Sequence, residues 1–317
     1  MARARRASTL LATLCATALA GCSSSPAPRA ASPGVAAPGA TAGATLPSPA
    51  PTATPAPLSR CPAAPLAASG LAVLDRGGQP DDLAVTTTGD LWVTDVGAGT
   101  LTRVRPGGAL LQVLRGFASP EGVAPLPDGD LLVAEQGHDR VLRIGVDGAR
   151  TVSASLPPSN GALGVDGIAA DIAGGRLLIP DSPHGTLLAT SLGTGPAIET
   201  LARGLGRPVG VAAVGGSIYV VAENAAPRGL LRVPSGGGAA DPVGSMAQLD
   251  DVVAVGGLLY VTDLAAHAVR AVDPATGAQR PIAAGLGQPQ GIAVLADGRL
   301  AVADSDAGTV LALTPCG

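Results

Sequence analysis

A unit of about 40 residues occurs six times along most of this chain, and the repetition constrains the fold more than any other feature. Each copy begins with an apolar residue, usually Pro, then a variable and mostly polar residue, then Gly or Asp. The successive copies begin 40, 45, 43, 41 and 40 residues apart. Repeats of this length are typical of arrays in which each unit packs against its neighbours. The six units begin at Pro80, Pro120, Val165, Pro208, Leu249 and Pro289.

Each unit also contains a Gly that precedes a segment of alternating apolar residues. Leu91 and Val93, for example, stand two and four positions after Gly89. An apolar residue at every second position is typical of a β-strand with one packed face. Two more short apolar segments, such as residues 101–104 and 110–114, give four strands per unit. We therefore predict an all-β fold, a six-bladed β-propeller whose blades are four-stranded antiparallel sheets.

The two ends of the repeated region predict how the ring closes. Residues 71–77 resemble residues 110–116, the fourth strand of the first unit, whereas the sixth unit stops after its third strand. An N-terminal strand is therefore expected to complete the last blade of a propeller that spans residues 61–317. Cys61 and Cys316 flank the two segments that meet there. A disulfide between them would lock the closure, and two free thiols are the alternative.

The first 60 residues are predicted to lie outside the propeller. Three Arg residues precede an apolar run at residues 10–19, which is typical of a signal peptide over residues 1–21. The run ends in Leu-Ala-Gly-Cys, which resembles the lipobox of bacterial lipoproteins, and this implies lipidation of Cys22. The alternative is an ordinary signal peptide that contains a Cys. Residues 22–60 are rich in Pro and Ala, which predicts a disordered tether.

Lipidation would place the protein outside the cytoplasm, anchored through Cys22 to a membrane of the bacterial cell envelope. All 24 acidic residues but only 15 of the 20 basic residues follow residue 60, so that part has a formal charge of −9. Such a domain repels nucleic acid and anionic lipid headgroups, which argues against both as direct partners. The chain contains no Lys, which excludes Schiff-base chemistry and a Walker-type phosphate loop.

The motifs resemble those of NHL-repeat propellers and of the senescence-marker-protein and gluconolactonase superfamily. The resemblance covers residues 71–315 and is best at residues 120–124 and 132–141. It implies a fold that hosts lactonases, lyases and binding modules. In the gluconolactonase branch a divalent metal lies over the central channel, held by side chains from the start of several blades. The matching side chains here are Asp81, Glu121, Asp166, Val209, Asp250 and Gln290.

We expect the second position of each motif to point at the mouth of the channel. Carboxylates crowded around one axis repel one another, so some stay protonated or a cation neutralises them. Calcium or another divalent cation accepts oxygen ligands from several loops. The alternative is that water and nearby Gly amides satisfy each carboxylate separately. The candidate metal ligands are Asp81, Glu121, Asp166 and Asp250, and the candidate ligand-binding set adds Gln290.

Two functions are compatible with this pattern. The first is a binding module, expected to be a monomer, that takes a small-molecule or protein ligand at the acidic mouth. The alternative is a metal-dependent hydrolase, lactonase or lyase in which the cation polarises a carbonyl group or activates water. Glu121 and His138 are the candidate acid–base pair for that chemistry. His138, His184 and His267 all follow the second strand of a unit, where surface turn residues are expected.

Overall fold

The computed structural model describes residues 57–193, 197–224 and 226–317. The predicted signal peptide at residues 1–21, the lipidation site Cys22 and most of the predicted tether lie outside the described residues. None of the helices in the described ranges is long and apolar enough to cross a bilayer. Short 3-10 turns accompany the strands at Pro57–Arg60, Ala68–Gly70, Gln136–His138 and Ser182–His184.

The described chain begins with the 3-10 turn Pro57–Arg60 and two strands, β1 (Leu66–Ala67) and β2 (Ala72–Arg76). Leu58 in this turn packs against a buried apolar cluster. The apolar packing therefore includes a residue that precedes Cys61.

Six antiparallel sheets form the blades of a propeller, as predicted from the repeats. Blade one contains β3 (Pro80–Val85), β4 (Leu91–Asp95), β5 (Thr100–Arg105) and β6 (Ala109–Arg115). Blade two contains β7 (Pro120–Pro125), β8 (Leu131–Glu135), β9 (Arg140–Ile144) and β10 (Arg150–Ser155). Blade three contains β11 (Ala169–Asp171), β12 (Arg176–Asp181), β13 (Thr186–Ser191) and β14 (Glu199–Arg203).

The remaining three blades repeat this order, with the innermost strand first. Blade four contains β15 (Arg207–Val214), β16 (Ser217–Glu223), β17 (Gly229–Pro234) and β18 (Asp241–Pro242). Blade five contains β19 (Leu249–Val255), β20 (Leu258–Asp263), β21 (Ala268–Val272) and β22 (Gln279–Ala284). Blade six contains β23 (Pro289–Val294), β24 (Leu300–Asp304) and β25 (Thr309–Leu313), and β2 is its fourth strand.

The ring closes as the sequence predicted. Strand β2 pairs antiparallel with β25, with Ala72 opposite Ala312. A disulfide joins Cys61 to Cys316, 255 residues later in the chain. The buried hydroxyl of Tyr260 accepts a hydrogen bond from the Cys316 N–H at 2.9 Å. In addition, β1 pairs in parallel with β22 of blade five, a contact that the repeat pattern did not predict.

The backbone conformation explains why Gly precedes the second strand of each unit. All six residues have positive φ angles, between 64° and 93°, a region that residues with a Cβ rarely adopt. In blade one, the Gly89 N–H donates to the Thr86 carbonyl and closes a tight turn between β3 and β4. The residues are Gly89, Gly129, Gly175, Gly216, Gly257 and Gly298.

The core consists of six apolar clusters, one at each interface between neighbouring blades. Successive residues of a strand point to opposite faces of its sheet, so they pack against different neighbours. Val93, for example, packs against Ala301 of blade six, whereas the adjacent Trp92 packs against Val133 of blade two. Each blade is therefore stabilised from both sides, and the ring depends on being closed.

We predict that the double variant Cys61→Ala, Cys316→Ala folds but is less stable. Loss of the cross-link lowers the free energy of unfolding by up to about 5 kcal/mol, because a long loop is freed in the unfolded chain. Urea unfolding of the oxidised protein and the double variant measures the difference. Reduced wild-type protein should unfold at the same urea concentration as the variant. Equal midpoints for oxidised protein and variant would contradict the stabilising role.

Candidate functional site

A β-bulge at the start of the innermost strand positions the second residue of the motif. In blade one, Pro80 is opposite Asp95 and Leu83 is opposite Val93, so two residues of β3 face a single residue of β4. The same register shift occurs in β7, β15, β19 and β23. A bulge bends the strand and redirects a side chain, and it is common beside functional sites.

Side chains at the second motif position of five repeats converge on one cavity of about 320 Å³, and that of blade three, Asp166, precedes its innermost strand. The five residues that the sequence predicted as ligand-binding all line it, so the structure brings that set together. They come from blades one, two, three, five and six, and the matching residue of blade four, Val209, is fully buried instead. The five are Asp81, Glu121, Asp166, Asp250 and Gln290.

Three of these carboxylates are close enough to share one ligand. Oxygen atoms of Asp81, Glu121 and Asp166 all lie within 4.8 Å of one another. Glu121 is the most buried of the three, with 8% of its surface exposed. Burial, followed by the charges of Asp166 and Asp81, raises the pKa of Glu121 to about 12. Burial and the neighbouring carboxylates therefore favour the protonated form of Glu121 at neutral pH.

The other carboxyl groups of the cavity also hold protons more tightly than usual. Burial and the nearby Asp81 charge raise the pKa of Asp166 to about 7. Burial and the charges of Asp166 and Asp81 raise the pKa of Asp250 well above its ordinary value. Crowded buried carboxylates destabilise each other's ionised form. Bound protons or a bound cation would reduce this repulsion.

Two residues of blade four belong to the site but were not singled out from the sequence. Arg207 donates to Asp166 at 3.1 Å and forms an ion pair with Glu223, and both line the cavity. Arg207 is the only basic side chain among the described residues that line it. A signal existed, because the residue before the motif is Arg only in the fourth unit.

Gln290 contributes one satisfied and one unsatisfied polar atom. Its amide nitrogen donates to Asp81 at 3.1 Å. Its Oε1 atom is buried and has no hydrogen-bond partner among the described residues. A buried oxygen without a partner is uncommon in folded proteins, and it calls for a donor or a cation at that position.

The structure places the candidate base His138 outside the residues that line this cavity. Its ring shares a hydrogen bond with Glu135 at 3.1 Å, and no hydrogen bond joins it to Glu121 among the described residues. His184 forms the equivalent contact with Asp181 at 2.9 Å. Both rings therefore bind the acidic residue that ends the second strand of their own blade.

Those acidic residues serve mainly to connect loops. Asp95 accepts from the Ala98 N–H at 2.8 Å, across the turn that follows its strand. Glu135 accepts from the Ala118 N–H at 2.8 Å, in the link from the preceding blade. Asp304 accepts from Gly287 and Gln288 in the same way. These acidic residues therefore stabilise the turns and the links between blades.

Comparisons with known proteins support the fold. No protein-family model matches the chain, and no curated protein matches it. A gluconolactonase from Xanthomonas campestris is 16% identical, with a TM-score of 0.64 over 76% of this chain and 88% of that one. Regucalcin from Agrobacterium tumefaciens, described as a calcium-binding protein, is 17% identical, with a TM-score of 0.62 over 79% and 95%.

A virginiamycin B lyase from Staphylococcus aureus, solved with quinupristin, is 18% identical, with a TM-score of 0.59 over 76% of this chain and 82% of that one. At these identities the similarity establishes a shared fold. The chain is thus a six-bladed β-propeller whose structural neighbours include a gluconolactonase, a calcium-binding regucalcin and a lyase.

We predict that the metal-free protein becomes less stable as pH rises from about 5 to about 8. Unfolded Glu and Asp lose their protons below this range. Folded Glu121, with a pKa of about 12, keeps its proton throughout the range, and folded Asp166, with a pKa of about 7, keeps its proton up to about pH 7. The free energy of unfolding falls by about 1.4 kcal/mol per pH unit for each proton that only the folded protein holds. Urea unfolding at several pH values in chelator-treated buffer measures the slope.

The nearly isosteric variant Glu121→Gln should flatten this slope, because Gln does not titrate. Asp241→Asn, at an exposed position on the outer strand of blade four, is the matched control and should keep it. The same pH slope in Glu121→Gln and in wild-type protein would show that Glu121 is an ordinary carboxylate.

Proposed function

We propose that the acidic mouth of this propeller binds a divalent cation of the calcium type, and that the protein acts as a ligand-binding module through that site. The observation that carries the proposal is the group of three carboxylates within 4.8 Å of one another. The buried, unpartnered Oε1 of Gln290 supports it independently, because it adds an oxygen that lacks a donor.

The donor set matches the requirements of calcium. Calcium takes six to eight oxygen ligands at about 2.3–2.6 Å, so oxygens bound to one ion lie up to about 5 Å apart. The Asp81, Glu121 and Asp166 oxygens meet that limit. The cavity lining also includes the carboxyl group of Asp250 and no sulfur or imidazole among the described residues. An all-oxygen site of this kind favours calcium or magnesium over zinc or copper.

Cation binding would replace the proton that Glu121 holds. A divalent charge beside Glu121 and Asp166 favours their ionised forms and opposes the effect of burial. Apparent affinity for the cation should therefore rise with pH. Arg207 occupies one side of the mouth, where it offsets part of the negative charge of Asp166 and Glu223.

We predict that Ca²⁺ raises the melting temperature of the purified protein and binds with a heat signal. A ligand present at 100 times its Kd stabilises a protein by about 2.7 kcal/mol. Glu121→Gln and Asp166→Asn each remove one anionic ligand, and should weaken Ca²⁺ binding by at least about tenfold. Differential scanning fluorimetry and titration calorimetry at about pH 8 measure both effects.

Asp241→Asn changes the same charge outside the mouth and is expected to leave Ca²⁺ binding unchanged. If wild-type protein shows neither heat nor a melting shift at about 10 mM Ca²⁺, above the usual range for extracellular calcium sites, the proposal fails. An equal loss in Asp241→Asn would assign the effect to general surface charge.

A metal-dependent hydrolase or lyase is the second candidate, and one observation favours it. Glu121 holds a proton at neutral pH directly beside the proposed ion-binding oxygens, which suits a general acid. A bound cation would supply polarisation of a carbonyl oxygen. In this candidate Asp81, Asp166 and Gln290 would hold the cation. Water adds to the carbonyl carbon, the ester C–O bond breaks, and the Glu121 carboxyl protonates the departing alkoxide oxygen. The new carboxylic acid then returns a proton to Glu121.

The two candidates predict different behaviour of one variant. In the hydrolase candidate, Glu121→Gln still binds Ca²⁺ but loses turnover by about a hundredfold or more, because proton transfer contributes that much to rate. A panel of sugar and aliphatic lactones, assayed with and without Ca²⁺, tests this. Absence of Ca²⁺-dependent hydrolysis in wild-type protein leaves the binding module as the function.

The cellular setting is also a proposal. Attachment through a lipidated Cys22 would place the propeller on the outer side of a bacterial envelope membrane, as a monomer. The disulfide between Cys61 and Cys316 is compatible with an oxidising compartment. There the acidic mouth would meet calcium and small-molecule or protein ligands, and the net negative charge would disfavour nucleic acid.

A further inference from the structure

A second cavity of about 540 Å³ lies at the other end of the central channel. The acidic mouth is formed where the innermost strands begin, whereas this cavity is lined by the later residues of the same six strands. We call it the lower chamber. Its volume falls in the usual range of small-molecule sites. One ring of its lining is entirely apolar and contains Val85, Pro125, Ala170, Ala213, Ala254 and Val294.

Two carboxylates line the lower chamber where it approaches the acidic mouth. Asp82 and Asp251 occupy the third position of the motif in blades one and five, where the other four blades have Gly. No basic side chain among the described residues forms a hydrogen bond or ion pair with either of them. Two carboxyl groups thus lie in an otherwise apolar chamber without a basic partner, and a cation there would stabilise their ionised forms.

Both aspartates also link neighbouring blades. Asp82 accepts from the Val123 N–H of blade two at 2.8 Å, and Asp251 accepts from the Ile292 N–H of blade six at 3.0 Å. Each of them also accepts from the N–H of its next residue. These bonds use one lone pair of each carboxylate oxygen, so further acceptor capacity remains.

The link between blades does not by itself require a carboxylate. Blades two and three make the equivalent connection through backbone alone, where Gly122 donates to the Asp166 carbonyl and Gly167 donates to the Val209 carbonyl. The aspartates thus add two carboxyl groups to a joint that a neutral residue can form. A hydrated metal ion would account for the carboxyl groups but not for the apolar ring.

We propose that the lower chamber binds an amphipathic organic ammonium ion. Its charged nitrogen donates hydrogen bonds to the Asp82 and Asp251 carboxylates, and its apolar group lies against the ring that includes Val85 and Ala213. The site shares no lining residue with the acidic mouth, and it is independent of whether that mouth binds calcium.

Benzylammonium is the probe, and uncharged benzyl alcohol of the same shape is its control. Calorimetry or NMR titration of the full protein at about pH 8, where the amine is protonated, should show at least tenfold tighter binding of the amine. Asp82→Asn and Asp251→Asn keep the size of the side chain and should each remove most of that preference.

A second variant keeps the test decisive if the aspartate variants fail to fold. Ala213 is exposed at the end of β15, so Ala213→Phe should fill the lower chamber without touching the links between blades. It should abolish binding, whereas Val152→Phe, on the exposed outer strand of blade two, should not. Glu121→Gln, in the acidic mouth, should also leave amine binding unchanged.

Three results would overturn the proposal. Wild-type protein could bind neither probe, could bind amine and alcohol equally, or could bind the amine as well in Ala213→Phe as in Val152→Phe. Loss of amine binding in Glu121→Gln would instead place the amine in the acidic mouth. None of these results depends on the calcium titration, so the two sites fail or succeed separately.

Discussion

The β-bulge at the start of the innermost strands is the feature on which the arrangement of this protein's channel depends. Because two residues face one across the bulge, the second motif residue leaves the sheet and the third lies against the next blade. A Cβ added to Gly210 or Gly291 would lie 2.5 Å from atoms of the neighbouring motif, so the approach between blades is close. The same local geometry therefore creates both the contact between blades and the side chains of the mouth.

Closure of the ring brings the carboxyl groups of the motifs close enough to repel one another. Repeating one motif around an axis brings together side chains that are about 40 residues apart in sequence, and four of those at the second position are carboxyl groups. Arg207 offsets part of this negative charge. Protonation of carboxyl groups whose pKa values are raised removes another part. Carboxyl groups with strongly raised pKa values at a channel mouth are typical of sites that bind a cation or perform acid–base chemistry.

Much of the architecture was predictable because its causes are local. Strand alternation, the Gly of each tight turn, the displaced fourth strand at residues 71–77 and the Cys61–Cys316 pair are all confirmed. Convergence of the five second-position residues also followed from the repeat, since equivalent residues of a propeller share one level. The roles of Glu121 and His138 in catalysis stay predictions, and the contact of His138 with Glu135 shows that a shared loop face does not imply contact.

The sequence by itself determined the number of blades, the closing strand and the second-position residues of the mouth, because periodicity and turn chemistry act within one unit. The tertiary structure decided which side chains pair and which remain unsatisfied, and it brought Arg207 and Glu223 into the mouth. The bridge from Arg207 to Asp166 and Glu223, the unpartnered Gln290 oxygen and the carboxyl groups of Asp82 and Asp251 in an apolar chamber all depend on distances between blades. Those distances are set by packing around the ring, and no spacing along the chain encodes them.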